Sequence, residues 1–207
     1  MTNEELQSKI EEANEESQKS NYDIAIQMVN EVLAKLDISP QMKPNDKEME
    51  IRETLRAKAI LQLANTNWQL GNYDAAIQQA QRGLDIAEEY NLIKIKSKGQ
   101  HLLGNLQQAI GAYDKALEYY NCALYACIEP EDKSFIAKII GNIGVVYFTL
   151  GIYDKALEYY DRAHEAYLEL GEKSGIASIT GNIGIVYNTL GTYDKALEYF
   201  NRALDMH

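Results

Sequence analysis

The stretch GIYDKALEYY at residues 151–160 decides the fold because it recurs along the chain. It returns as GAYDKALEYY at 111–120, as GTYDKALEYF at 191–200 and, more weakly, as GNYDAAIQQA at 71–80, each copy 40 residues from the next. A fifth, degenerate copy, SNYDIAIQMV, occupies 20–29. A fixed period between about 20 and 50 residues is typical of stacked-repeat proteins. The sequence therefore predicts an array of similar units.

Each unit is predicted to contain two helices, because the apolar residues recur at helical spacing and the chain has only 3 prolines. We expect first helices over 48–70, 94–110, 134–150 and 174–190, and second helices over 73–89, 113–128, 153–169 and 193–206. The links between them are short, and short links force neighbouring helices to lie antiparallel. The predicted fold class is all-α.

One array is predicted to cover residues 1–207, with irregular parts near its start. Residues 1–36 are interpreted as a degenerate first helix pair that caps the array. The segment DISPQMKPNDK at 37–47 contains two of the three prolines and is predicted to be an inserted loop. The regular units are placed at 48–90, 91–130, 131–170 and 171–207.

The repeated residues have structural explanations. A glycine ends each first helix, where the left-handed conformation favours it, and an alanine recurs where two helices are expected to cross closely. Large apolar residues directly before the glycines are expected to anchor that end in the core. The helix-ending glycines are Gly71, Gly111, Gly151 and Gly191. The small residues at the expected crossings are Ala76, Ala116, Ala156 and Ala196 on the second helices and Gly104, Gly144 and Gly184 on the first. The apolar residues before the glycines are Leu70, Ile110, Leu150 and Leu190.

The combination of a small residue at 144, Gly151, Tyr153, Ala156 and Ala163, with aromatic residues at 147 and 160, resembles the tetratricopeptide repeat. The resemblance implies a right-handed superhelical solenoid of antiparallel helix pairs, in which the first helices line a concave groove that binds ligands. The period of 40 exceeds the family's common 34, and it is similar to the longer repeats of cell-polarity adaptors, kinesin light chains and bacterial regulatory proteins.

Placed on this architecture, polar and aromatic residues of the first helices become the predicted ligand-binding set. Amide side chains both donate and accept hydrogen bonds, so a ladder of them can hold the backbone of an extended peptide. A row of lysines would attract a carboxylate-bearing segment, and aromatic rings would anchor apolar side chains. The predicted groove residues are Lys58, Gln62, Asn65, Trp68, Lys98, His101, Asn105, Gln108, Lys138, Asn142, Phe148, Asn182 and Asn188.

Charge and motifs argue against several other classes of protein. The formal net charge of −11 repels nucleic acid and anionic membranes. The N-terminus lacks the apolar core of a signal peptide, no stretch has the length of a membrane helix, and Cys122 and Cys127 are interpreted as reduced thiols, so a cytoplasmic location is expected. Catalytic, phosphate-binding and metal-binding motifs are lacking, so the chain is predicted to be a non-enzyme without cofactor or metal.

Three functional hypotheses remain from the sequence. The first is a scaffold that binds a peptide or partner protein in the groove. The second is the sensory part of a bacterial signalling protein, such as a histidine kinase, a nucleotide cyclase or a transcription regulator. The third is a self-assembling array. Apolar residues of the C-terminal helix pair, such as Ile183, Tyr187, Leu197 and Phe200, are expected either to pack on a further part of a longer array or to contact another copy in a homo-oligomer.

Overall fold

The computed structural model describes residues 1–37, 46–127 and 133–206, and this part of the chain contains ten α-helices and no strand. The helix boundaries lie within two residues of those predicted from the repeat. Most of the predicted insertion at 37–47 lies outside the described residues. The helices are α1 (Asn3–Gln18), α2 (Tyr22–Asp37), α3 (Asp46–Gln69), α4 (Tyr73–Glu89), α5 (Ile93–Ala109), α6 (Tyr113–Ala126), α7 (Lys133–Thr149), α8 (Tyr153–Leu170), α9 (Lys173–Thr189) and α10 (Tyr193–Leu204).

The chain divides into two compact units, Met1–Gly111 and Ala112–His207. In the first unit each helix packs on the next, and α3 also contacts α1 and α5. In the second unit α6 packs on α7, α7 on α8, α8 on α9 and α9 on α10, and α7 also contacts α9. Sequential contacts combined with contacts between alternate helices are the pattern of stacked helix pairs. The all-α fold of helix pairs is confirmed, and the single array over 1–207 stays a prediction.

The glycine that ends each first helix adopts the predicted left-handed conformation, with φ of +79°, +79°, +74° and +74° at Gly71, Gly111, Gly151 and Gly191. At the end of α7, the N–H of Gly151 donates to the carbonyl of Phe148 at 2.9 Å, and the N–H of Ile152 donates to the carbonyl of Tyr147 at 2.9 Å. This pair of bonds is the Schellman arrangement. It satisfies carbonyls that the end of the helix would otherwise leave without a donor.

The apolar residues that precede these glycines do not anchor the helix ends, and that prediction is wrong. Leu70, Ile110, Leu150 and Leu190 are between 41% and 49% exposed. In the second unit the core ends one turn earlier, at the fully buried Val146 and Val186. The chain reverses direction immediately after the leucines, so they lie at the edge of the helix pair.

The small residues of the repeat do lie in the core. Ala76, Ala116, Ala156 and Ala196 are buried. A Cβ placed on Gly144 would lie 2.7 Å from the ring of Tyr160, and one on Gly184 would lie 2.7 Å from the ring of Phe200. The space left by Gly144 and by Gly184 is therefore filled by an aromatic ring from the second helix of the same pair.

Candidate functional site

A groove of about 230 Å³ lies between α7 and α9 in the second unit. Lys138 and Asn142 are one turn apart on α7, and Ser178 and Asn182 are one turn apart on α9, so each pair points to the same side of its helix. Three of the predicted ligand-binding residues therefore line one groove. The complete lining is Lys138, Gly141, Asn142, Val145, Tyr167, Gly175, Ser178, Ile179 and Asn182.

The floor of this groove is apolar and depends on two glycines. A Cβ on Gly175 would lie 2.5 Å from the ring of Tyr167, and a Cβ on Gly141 would lie 2.9 Å from Cδ1 of Ile179. Tyr167 comes from α8, which is a second helix, whereas the groove was expected to be lined by first helices alone. The residue that corresponds to Gly175 one repeat earlier is Phe135, and the residue that corresponds to Tyr167 is Cys127. This exchange of large and small residues between the two repeats was the feature of the sequence that could have indicated a contact between Tyr167 and Gly175.

The rim of the groove is polar and carries one positive charge. Lys138 is exposed, and the polar lining residues Asn142, Ser178 and Asn182 are uncharged. The side chain of Asn142 hydrogen-bonds the hydroxyl of Tyr120 on α6; burial raises the pKa of that hydroxyl, and the bond to Asn142 partly opposes the rise. Because Tyr120 is fully buried, it fixes the orientation of Asn142 at the edge of the groove.

In the first unit, two of the predicted groove residues bind α1 instead of facing open solvent. Lys58 donates from Nζ to Oε1 of Gln7 at 2.9 Å, and Gln62 donates from Nε2 to Oγ of Ser17 at 3.4 Å. Burial lowers the pKa of Lys58, the nearby Lys98 lowers it further, and Glu11 opposes both effects. Lys58 and Lys98 therefore lie close enough to repel each other.

A second cavity, of about 430 Å³, lies between α1 and α3. Ile51 and Leu55 contribute apolar surface, and the carboxylates of Glu4, Glu11 and Glu50 also line it. Lys58 lines this cavity as well, so three acidic residues and one lysine surround it, whereas no residue that lines the α7–α9 groove is acidic. The sequence pattern did not indicate this cavity, because residues 1–36 were expected to cap the array.

The other predicted residues are not brought into either cavity. Phe148 packs against Tyr153 with ring centroids 5.8 Å apart, so it contributes to the core instead of offering a free anchor. His101 is buried and has little surface for a ligand. Lys98 and Asn188 are exposed, and the partly buried remainder are Asn65, Trp68, Asn105 and Gln108.

Three sequence models of the tetratricopeptide repeat match the chain, at residues 57–90, 101–167 and 135–207. Together they cover residues 57–90 and 101–207, which include part or all of each predicted regular unit. The chain belongs to the tetratricopeptide repeat family. No curated protein matches its sequence.

Solved tetratricopeptide repeat (TPR) structures and related folds resemble the chain at low sequence identity. BtubC (BKLC) from P. vanneervenii has a TM-score of 0.77 at 20% identity over 94% of this chain and 76% of its own. A Podosopora anserina protein described as a kinesin light chain with nearly identical TPR-like repeats has a TM-score of 0.70 at 15% identity, over 100% of this chain and 96% of its own.

A third similar structure is the Rap conjugation gene regulator of plasmid pLS20, in complex with the Phr* peptide. Its TM-score is 0.73 at 18% identity over 94% of this chain. The chain spans about half of that regulator, 51% of its length. At such identities the similarity shows a shared fold.

The last two TPR pairs contain a tyrosine stack that the sequence analysis did not identify. Tyr147 of α7 and Tyr159 of α8 stack with centroids 5.3 Å apart, with Lys155 over the first ring and Arg162 over the second. The same four-membered arrangement returns 40 residues later at Tyr187, Tyr199, Lys195 and Arg202. At the corresponding positions of α3 and α4, Asn67 donates to Gln79 at 3.0 Å. This position therefore joins the two helices of a pair through matched side chains.

Metal and membrane sites receive no support from the described residues. Across 1–37, 46–127 and 133–206, no three His, Cys, Asp or Glu side chains form a group that could hold a metal ion. Within the same ranges, none of the helices combines the length and the apolar character that crossing a membrane requires. Neither Cys122 nor Cys127 is part of a disulfide bond in the structure, and Cys122 is exposed.

Proposed function

We propose that the chain is a protein-interaction scaffold and that the groove between α7 and α9 holds an extended peptide. The observation that carries the proposal is the convergence of Lys138, Asn142, Ser178 and Asn182 around an apolar floor. The groove, at about 230 Å³, is smaller than the roughly 300–1,000 Å³ of a typical small-molecule site. Its size suits one or two side chains of a longer segment.

The chemistry of the rim specifies the kind of peptide. The amides of Asn142 and Asn182 can donate to backbone carbonyls and accept from backbone N–H groups. Lys138 is the charged residue of a groove without acidic lining, on a chain whose net charge is −11. Such a local reversal of charge favours a peptide with a carboxylate near Lys138 and an apolar side chain over Tyr167. The fold shared with a regulator that binds the Phr* peptide supports this proposal.

A peptide selection tests the proposal. Peptides are selected from a random display library with the full chain, and their affinities are measured by calorimetry for the wild type and for Asn182→Ala and Lys138→Gln. Loss of hydrogen bonds from Asn182 should cost about 1–2 kcal/mol, or roughly tenfold in affinity. Lys138→Gln should weaken binding and reduce its dependence on salt.

The matched control is Asn121→Ala, because Asn121 is exposed on α6 and does not line the groove. This variant should bind the selected peptides as the wild type does. The proposal fails if no peptide is selected, or if the selected peptides bind Asn182→Ala and Lys138→Gln with unchanged affinity.

A second candidate is that the chain is the sensory part of a signalling or regulatory protein. The similarity of fold to a conjugation gene regulator favours it. This role would use the same groove, with peptide binding as the input. Sequencing the gene around the coding region for this chain tests it, since a kinase, cyclase or DNA-binding domain in the same reading frame is the expected result.

A further inference from the structure

The cavity between α1 and α3 has the size of a small-molecule site. Its volume of about 430 Å³ lies within the roughly 300–1,000 Å³ that such sites occupy. The two helices run in the same direction beside it, because Gln7 meets Lys58 at 2.9 Å and, further along both helices, Ser17 meets Thr66 at 2.7 Å. The walls of the cavity therefore belong to two helices that hydrogen bonds hold together.

The floor of the α1–α3 cavity is apolar. Ile51 and Leu55 are one turn apart on α3, so they point to the same side of the helix. Leu55 is 4% exposed, and Ile51 is 37% exposed. The surface that lines the cavity is mainly apolar. A ligand with an apolar body would remove this surface from water, which favours binding.

The lysine of the cavity is already engaged by neighbouring side chains. Lys58 donates to Gln7, and Gln7 in turn donates from Nε2 to Oε1 of Glu11. The charge of Glu11 also acts on Lys58, since it opposes the lowering of the pKa of Lys58. This end of the cavity therefore contains a lysine and a carboxylate whose charges offset each other.

The other end of the cavity is acidic. Glu4 lies about one turn before Gln7, and Glu50 lies about two turns before Lys58, so both glutamates are on the N-terminal side of the Gln7–Lys58 contact. Both are exposed, and within residues 1–37, 46–127 and 133–206 neither side chain takes part in a hydrogen bond or an ion pair. These two carboxylates are available to a cation.

We propose that the α1–α3 cavity binds an organic cation of small-molecule size. The apolar body of the ligand lies on Ile51 and Leu55, and its ammonium group lies beside Glu4 and Glu50. The volume and the apolar floor account for the binding of the body, and the carboxylates select its charge, because an ammonium group forms charge-assisted hydrogen bonds with them. This site is separate from the α7–α9 groove, and its ligand has the opposite charge.

Three probes with the same phenylbutyl body test the proposal on the full chain. They are 4-phenylbutylamine, which is protonated at neutral pH, 4-phenylbutanol and 4-phenylbutanoate. Each is titrated to about 10 mM into the ¹⁵N-labelled protein, because a probe of this size is expected to have a dissociation constant of about 1 mM. Backbone amide signals are followed by NMR.

The amine should shift the signals of residues 3–11 and 50–58, and the shifts should reach saturation. The alcohol should bind about three- to fivefold more weakly, which is the effect of one exposed ion pair, and the carboxylate should bind most weakly. The proposal is overturned if no probe gives shifts that saturate in these helices, or if the amine and the carboxylate bind equally.

A pair of double variants separates the site from the general effect of net charge. Glu4→Gln with Glu50→Gln should weaken binding of the amine to the level of the alcohol and leave the alcohol unchanged. Glu12→Gln with Glu15→Gln removes the same charge from exposed residues of α1 that do not line the cavity, so binding of the amine should persist. Equal weakening by the two double variants would assign the effect to net charge and refute the site.

The apolar floor is tested by Ile51→Ser. Because Ile51 is partly exposed, the variant should fold, and circular dichroism verifies that it does. It should weaken binding of the amine and of the alcohol by the same factor, since both place the phenylbutyl body on this residue. Unchanged affinity for both probes would contradict the proposed position of the body. These variants do not alter the α7–α9 groove, so the outcome is independent of peptide binding there.

Discussion

The contact between Gly144 and the ring of Tyr160 gives the sharpest test of the helix-pair core. A Cβ at residue 144 would lie 2.7 Å from two ring carbons, whereas a Cβ at Gly181 would meet no atom within 4 Å. Both glycines lie inside first helices of the same unit, Gly144 on α7 and Gly181 on α9. Alanine substitutions at these two positions therefore differ mainly in packing.

The expected magnitudes follow from two opposing effects. Replacing a glycine inside a helix with alanine favours the helix by about 0.8–1.0 kcal/mol. Overpacking a filled core costs about 1–3 kcal/mol. Gly181→Ala should therefore stabilise the protein by about 1 kcal/mol, and Gly144→Ala should be less stable than Gly181→Ala by about 1–3 kcal/mol.

Thermal and urea unfolding measure this difference. For a chain of this size about 1 kcal/mol corresponds to roughly 2–4 °C in Tm, so Gly181→Ala should raise Tm by about that amount and Gly144→Ala should lower it or leave it unchanged. In a Tyr160→Leu background the penalty at residue 144 should disappear, which a double-mutant cycle reveals as a coupling free energy. Equal stabilisation by the two alanines would refute the placement of the ring over Gly144.

Two further predictions concern buried polar groups. Burial raises the pKa of Tyr160 to about 12, above its usual value of about 10. The folded state therefore holds the hydroxyl proton more tightly than the unfolded state does. The free energy of unfolding should consequently fall as the pH rises from about 10 towards 12. Tyr160→Phe should flatten that fall in urea unfolding measured across this pH range, and an unchanged slope would contradict it. Arg56 binds both carboxylate oxygens of Glu53 at 2.8 and 3.0 Å and the carbonyl of Leu36 at 2.9 Å. Arg56→Ala would leave the 5% exposed Glu53 without that cation at a cost of about 3 kcal/mol, and a loss under about 0.5 kcal/mol in denaturant unfolding would argue against the buried pair.

The repeat predicted those features that depend on local sequence. A glycine followed by a short polar turn specifies the left-handed helix end, so Gly71, Gly111, Gly151 and Gly191 could be placed without knowledge of neighbours. The alanines that recur every 40 residues likewise predicted where two helices cross closely. These positions have the same environment in each copy, and repetition is a reliable guide there.

Features that depend on the neighbouring pair could not be predicted in that way. Lys58 corresponds to Lys138, and the two were expected to share a role in the groove. Lys58 instead bonds to Gln7 of α1, and α1 is not a close copy of any later helix, so the repeat contains no information about this contact. Lys138, by contrast, is exposed and lines the α7–α9 groove.

Differences between the copies are therefore more informative about recognition than the repeated motif. The motif residues of 151–160 form a turn and the packing surface of a helix, and nearly the same sequence is buried in α8 and partly exposed in α10. Tyr167 and Gly175, which depart from Cys127 and Phe135 of the preceding copy, form part of the groove floor. Because the repeated positions are constrained by folding, the residues free to specify a ligand are those that vary from copy to copy. The α7–α9 groove combines varied residues with the retained amides, and this makes it the part of the chain where substitutions should change binding without unfolding the protein.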